Sequence, residues 1–360
     1  LPFKVGVDVT PLETPLTGIG NYIYYLLKEL IKQHPETFFY LYARRRSPLL
    51  NQLADKKNVR LRVHPFGGLS AGFWGQTTLA WMCAKDHLDI FWGSTQAFPL
   101  FARKKQKNVI TIYDFAYHLF PRTVSLGRRY YLRMLGKRFY NTAALRIAIS
   151  HGTAERMKKI YDLPAHGVIT PPLKNLEQQE IIPLLQALGL QKGRYFLLLG
   201  TLEPRKNIEK TLKTYISFLD KELLDPLLII GKKGWNDASI QKQLSLAQKH
   251  YPSHIKWLDY LTDRQLNGYV KNARAYLMPS LYEGYGMPIA EARTLGTPVI
   301  CTASPEMIEA AEGDAFFLRE KHFIEDLHKA LTTSLPPPKS PTYPSCSSLA
   351  QSFFTLISGL

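Results

Sequence analysis

At 360 residues the chain is longer than one hydrophobic core usually serves, so two domains of ordinary size are the first expectation. Its 45% hydrophobic content is that of a soluble globular protein, and no apolar run reaches the roughly 18 residues that a bilayer crossing requires. The formal charge is +17, and Cys83, Cys301 and Cys346 lie far apart without metal-ligand spacing, which fits a reducing cytoplasm and argues against a disulfide scaffold.

In chain order, KVGVDV (4–9) reads as a strand that runs into a loop, with Gly18 and Gly20 ahead of an amphipathic helix in TGIGNYIYYLLKEL. The full G-x-G-x-x-G fingerprint is missing, so a dinucleotide site is poorly supported, although small residues here would let a phosphate or a sugar come close. FFYLYA, VRLRVHP, DIFWG, NVITIYD and LRIAIS are the further strand candidates of the first half.

Charge is concentrated in this half, where residues 1–180 hold 26 Lys+Arg against 12 Asp+Glu, and 181–360 hold 20 against 17. The excess collects in RRR (44–46), ARKKQK (102–107) and GRRYYLRMLGKRFY (127–140). In the last of these Arg129, Arg133 and Lys137, preceded by Arg128, recur every four residues beside Tyr130 and Met134. As a helix, that is a basic stripe next to an apolar one. It suits an anionic membrane surface, or equally the solvated face of an ordinary core helix. No nucleic-acid motif accompanies the charge, so nucleic acid is not an expected partner.

Proline and polar residues in DLPAHGVITPPLKNLEQQE (162–180) mark a boundary, giving a first domain over 1–165 and a linker over 166–190. A second domain over 191–335 alternates YFLLLG, a helix over 206–219, PLLIIG, a helix near 238–250, IKWLDY, a helix near 263–272, AYLMPS, a helix after Pro288, and PVICT. Such alternation predicts a parallel sheet covered on both faces, which binds ligands at the carboxyl ends of its strands. The proline-rich PPPKSPTYP (336–344) then leads into SLAQSFFTLISGL, and 336–360 is expected to pack back toward the first domain. The predicted class is therefore α/β, with two Rossmann-like domains facing each other across a cleft.

Chemistry concentrates in PSLYEGYGMPIAEARTLGTPVI (279–300), where Glu283 and Glu291 stand eight positions apart around glycine and proline. Gly284 and Gly286 permit close approach to the backbone, and a helix is predicted from Met287 or Pro288 to Gly296, with Glu291 in its first turn. An acid there also simply complements the helix dipole, so by itself it does not mark a site. GTLEPRKN (200–207) repeats the strand-loop-helix context, with Arg205 and Lys206 where a diphosphate needs positive charge. Gly231, in IIGKKGW, ends another strand and would let a nucleotide lie along the main chain.

TGIGNY (17–22), GTLEPRKN, IIGKKGW and PSLYEGYGMPIAEA together resemble the retaining glycosyltransferases of family 4, also called glycosyl transferases group 1, which have the GT-B fold. The resemblance covers roughly residues 3–320, and the E-x7-E spacing is its specific part. It implies transfer of a sugar from a nucleotide-sugar donor, a GDP- or UDP-hexose, with Glu283 at the reaction centre and Glu291 on the ribose. It implies further that Arg205 and Lys206 hold the diphosphate with the backbone N–H groups of Gly286 and Met287, and that Tyr260 and Leu261 lie near the base. Tyr113-Asp114 stands where many relatives have His-Asp, which assigns Asp114 to the catalytic set and Tyr113 and His118 to acceptor handling. No D-x-D triplet occurs, so protein cations are expected in place of a metal, and no cofactor is implied. Mannose, in surface-polysaccharide or lipopolysaccharide assembly, is the suggested sugar, with a lipid-linked or polysaccharide acceptor at the inner face of the membrane. Two other readings remain at this stage: a catalytically silent relative acting as a scaffold, and a nucleotide-sugar epimerase.

Overall fold

The structure, a computed structural model, describes residues 3–64, 71–100, 105–121, 126–219, 221–234, 237–259 and 261–360, without the side chains of 71–73 and 128. Two compact units divide the chain: Leu1–Lys174 together with Tyr343–Leu360, and Asn175–Thr342.

In the first unit the strands are β1 (Lys4–Asp8), β2 (Phe38–Ala43), β3 (Val59–Val63), β4 (Ile90–Gly93), β5 (Lys107–Ile112), β6 (Leu145–Ala148) and β7 (Gly167–Val168). They form one parallel sheet in the order β3-β2-β1-β4-β5-β6-β7. Parallel strands are covered on both faces, which is why apolar and aromatic runs such as FFYLYA and NVITI are used with few polar interruptions. Tyr42, Phe91, Ile110, Ile112, Phe139, Tyr140 and Met157 make up much of the core on one face.

The closing helix, Cys346–Ser358, belongs to this unit. Ser345 starts it by accepting from the Ser348 N–H at 3.1 Å. Phe353 lies against Trp92 of β4 with ring centroids 4.6 Å apart, and Phe354 stacks on His34 at 3.4 Å. Gln33 Nε2 donates to Ser347 Oγ at 2.8 Å, on the polar margin of the same contact. Strand β7 and a helix, Ile182–Ala187, lie within 166–190, the stretch expected to be a linker.

In the second unit β8 (Phe196–Leu199), β9 (Leu227–Ile230), β10 (Ile255–Leu258), β11 (Ala275–Met278), β12 (Val299–Thr302) and β13 (Phe316–Leu318) form a parallel sheet in the order β10-β9-β8-β11-β12-β13. Leu227, Ile229, Leu277 and Ile300 on one face meet Leu212 and Tyr215 of helix Ile208–Leu219, Leu244 of helix Ala238–His250 and Leu327 of helix Phe323–Thr332. Helix Asp263–Lys271 opens on a capping box between Thr262 and Gln265. The helix expected from 206 begins instead at Ile208, because Asn207 takes a left-handed conformation, φ 57°, that interrupts it.

Both sheets therefore follow one order, with the first strand at the centre and the chain winding outward on either side. The direction of winding reverses beside β1 in one unit and beside β8 in the other. Loops that leave neighbouring strands in opposite directions open a crevice there, and the carboxyl ends of β1 and β4, and of β8 and β11, are the places to look for ligands. Among the described residues no helix is long and apolar enough to cross a membrane.

Candidate active site

The loops after β8 and β11 carry the residues that the sequence singled out in the second unit. After β8 the chain makes a short 3-10 turn, Pro204–Lys206, so Arg205 and Lys206 precede the helix rather than lie within its first turn. After β11 the loop runs to Gly286, whose φ of 109° is open to glycine and strained for other residues. The backbone joins the loops where the Leu281 N–H donates to the Arg205 carbonyl at 2.8 Å.

Side chains complete the junction. Arg205 Nη1 donates to Glu283 Oε2 and to the Tyr282 carbonyl, both at 2.9 Å, while its Nη2 donates to Glu203 Oε1 at 2.6 Å. Lys206 Nζ donates to Glu283 Oε1 at 2.7 Å. Glu283 is largely buried, with side-chain exposure of 13%. Burial raises its pKa, but the charges of Lys206 and Arg205 outweigh that and hold the carboxyl down at about 2. The result is an ionised carboxylate clasped by two ordered cations, at the point where strand order reverses.

Glu291 comes from helix Met287–Thr294. It was expected in the first turn; it is the fifth helical residue and lies just beyond that turn, because Gly286 is the cap and the helix starts at Met287. Glu283 and Glu291 nevertheless face a common neighbour. Burial first, then the charges of both glutamates, push the Tyr276 hydroxyl of β11 well above the ordinary tyrosine range. That fully buried hydroxyl has no hydrogen-bond partner among the described residues. Gly284 lies in the same loop, and Met287 supplies the first backbone N–H of the helix.

Other expected residues fall elsewhere. Gly231 has a packing reason: a Cβ there would sit 1.9 Å from the Gly200 carbonyl oxygen, so the ends of β8 and β9 approach only with glycine. Gly18 and Gly20, expected ahead of their helix, form its first turn in Gly18–Gln33. Leu261 is half-buried beside the cap residue Thr262, and Tyr260 lies outside the described residues.

In the first unit Tyr113 and Asp114 follow β5. Tyr113 is buried with its ring edge-on to Tyr22 at 5.3 Å, and Asp114 Oδ1 accepts from the Ala116 N–H at 2.9 Å, which holds the turn into helix Ala116–Leu119. His118 is exposed on that helix. Helix Leu126–Thr142 carries Arg129, Arg133 and Lys137; Arg133 and Lys137 are exposed, Arg129 is half-buried, and the side chain of Arg128 lies outside the described set.

Sequence reasoning missed Glu203, which completes the cationic clasp, and Asp8 at the end of β1. Asp8 is 5% exposed; its Oδ1 accepts from the Thr10 N–H at 3.0 Å and its Oδ2 from Thr95 Oγ1 at 3.1 Å, at the reversal point of the first sheet. The signal that finds Asp8 is topological: an acid closing the first strand of a doubly wound sheet.

Comparison with known proteins identifies the family. Residues 184–344 match the family model for Glycosyl transferases group 1, and residues 16–173 match that for Glycosyltransferase Family 4. O-antigen chain mannosyltransferase B of Escherichia coli is 26% identical over 356 residues, covering 92% of this chain and 90% of that protein. Among solved structures, Anabaena HepE in complex with UDP and glucose superposes with a TM-score of 0.64 at 14% identity, covering 99% of this chain and 100% of that one. WaaG, a glycosyltransferase involved in lipopolysaccharide biosynthesis, gives 0.62 at 15%, covering 99% and 96%. With one model on each unit and two sheets of the same strand order, the chain belongs to the family 4, or group 1, glycosyltransferases and has their two-domain GT-B fold.

Proposed function

We propose that the protein transfers mannose from a nucleotide sugar, GDP-mannose first among candidates, to a growing lipid-linked or surface polysaccharide, with retention of anomeric configuration and without a metal. The observation that carries this reading is the clasp of Glu283 by Arg205 and Lys206 at the carboxyl ends of β8 and β11. Cleaving a sugar–phosphate bond leaves negative charge on the diphosphate and positive charge on the sugar, so ordered cations and a carboxylate belong side by side. Arg205 and Lys206, with the backbone N–H groups of Gly286 and Met287 at a helix start, take the diphosphate. Glu283 stabilises the oxocarbenium-like sugar, and Glu291 accepts from the ribose hydroxyls. Leu261 and Tyr260 bound the base. Tyr113, Asp114 and His118 handle the acceptor. The choice of mannose and of a polysaccharide acceptor rests on likeness to O-antigen chain mannosyltransferase B.

The setting is the cytoplasmic face of the membrane, reached through Arg128, Arg129, Arg133 and Lys137. Cations on one helix next to the exposed Leu126, Tyr130 and Met134 suit an anionic bilayer surface. Incubating the purified protein with GDP-mannose and with UDP-hexoses tests the reading: GDP-mannose is consumed and GDP released, and an acceptor glycan extract accelerates this. If no nucleotide sugar is turned over and neither GDP nor UDP raises the melting temperature, the reading is wrong.

A further inference from the structure

Beneath the candidate site, Tyr276 carries a donor that nothing uses. It belongs to β11, where Ala275 and Leu277 face the core covered by helices Ile208–Leu219, Ala238–His250 and Phe323–Thr332. Alternation along the strand turns Tyr276 to the opposite face. Cys301 of β12 shares that face, because Tyr276 pairs in register with Val299 and Met278 with Cys301. Helix Met287–Thr294, which carries Glu291, packs on the same two strands. The Tyr276 ring is fully buried there, and its hydroxyl has no hydrogen-bond partner among the described residues.

A buried, unpaired hydroxyl costs stability, and phenylalanine has the same shape without that cost. A hydroxyl kept in such a place points to a bond made at another stage of the protein's work. Its neighbours say which. Glu283 and Glu291 are the two carboxylates that act on it, Glu283 the more strongly, and together with burial they keep the phenol protonated, so that it can donate. In the structure Glu283 is held by Arg205 at 2.9 Å and by Lys206 at 2.7 Å. Those are the cations a diphosphate would engage. As the sugar–phosphate bond breaks, negative charge builds on the diphosphate and draws both of them, at the moment when the sugar cation needs a fixed, ionised carboxylate.

We propose that Tyr276 is a positioning residue for Glu283: as Arg205 and Lys206 are drawn to the leaving diphosphate, one Glu283 oxygen accepts a hydrogen bond from the Tyr276 hydroxyl, which leaves the other oxygen to the sugar. This rests on the transferase reading and deepens it, by giving the same site a donor that comes into use only in the transition state.

Tyr276→Phe tests it on the full chain. The variant keeps the ring and removes a donor that is idle without substrate, so its melting temperature without nucleotide should equal or exceed that of the parent. The melting shift produced by GDP should be unchanged. For GDP-mannose, kcat and kcat/KM should both fall at least about tenfold with KM within about twofold, the signature of an interaction made only in the transition state. Cys301→Ala separates packing from hydrogen bonding, since Cys301 is a buried neighbour of Tyr276 and its loss leaves the hydroxyl in place. That variant should melt lower than the parent and keep kcat within about twofold.

A Tyr276→Phe protein that melts as low as Cys301→Ala would mean that the hydroxyl is already bonded and structural, and would overturn the inference. So would a rise in KM with kcat unchanged, or an equal loss of kcat in both variants, which would assign the effect to packing. Turnover of GDP-mannose by the parent and by Tyr276→Phe at the same rate refutes this inference alone. If the parent turns over no nucleotide sugar, the transferase reading fails and the role of Tyr276 falls with it.

Discussion

The two units repeat one strand order and differ in what they place at the point where it reverses. Beyond β8 and β11 stand two cations and two carboxylates joined by three contacts of 2.6 to 2.9 Å. At the end of β1 stands Asp8, held by Thr10 and Thr95 at the foot of an apolar cavity, and the buried Glu13 that follows it is paired with Arg44 and Arg45 at 3.3 and 3.6 Å. Even the acids respond in opposite ways: Lys206 and Arg205 overcome burial and hold Glu283 down, whereas burial prevails at Asp8 and raises it. The sheet supplies a crevice, and its chemistry is decided by a few loop residues.

The comparison can be broken most sharply at Glu283. Replacing it by Gln keeps shape but removes the charge proposed to face the forming sugar cation, and turnover of GDP-mannose should fall by roughly 10²–10³. Steady-state assay with a coupled GDP readout checks this; turnover within a factor of a few of the parent would place the reaction elsewhere. Lys206→Ala removes one of the charge-assisted contacts proposed for the diphosphate, about 1.5–3 kcal/mol, and should weaken donor binding about ten- to a hundredfold by calorimetry. On the other side, replacing Arg133 and Lys137 by Ala should reduce affinity for phosphatidylserine vesicles by about 30-fold, at ~1 kcal/mol per charge, with donor binding unchanged.

Acid titration sharpens the contrast between the two acids. Glu283 has a folded pKa of about 2 against an ordinary 4.5. Its contribution to stability is complete above the ordinary value and is lost as pH falls from 4.5 toward 2. Asp8 has the opposite sign: raised above 3.8 by burial, its charged form costs stability as pH rises past that value. Urea denaturation as a function of pH should therefore show a flatter acid limb for Glu283→Gln. The smallest effect expected is for Asp8→Asn, whose cost should be lower at pH 7 than near pH 4.

Much of this was legible in the sequence. Short apolar runs that end at proline, glycine or serine located the long strands of both sheets, and the E-x7-E spacing with EPRK marked the loops after β11 and β8. What escaped has physical reasons. Strands β7 and β13 are two and three residues long, too short for a pattern. Asn207 adopts a left-handed turn that helix periodicity does not reveal, and it set Arg205 and Lys206 outside the helix. Glu203 and Asp8 acquire their places only when distant strands pair, and the Thr95 contact to Asp8 spans 87 residues. Gly231 has a packing reason that no local pattern shows, since a Cβ there would meet the Gly200 carbonyl oxygen at 1.9 Å.

The return of residues 346–358 to the first unit has a consequence for biosynthesis. Trp92 of β4 is covered by Phe353, so a nascent chain reaches the ribosomal exit with the N-terminal lobe still lacking its final cover while the C-terminal lobe is already complete in sequence. Truncation near residue 342 would thus injure the lobe most distant in chain order and spare the adjacent one.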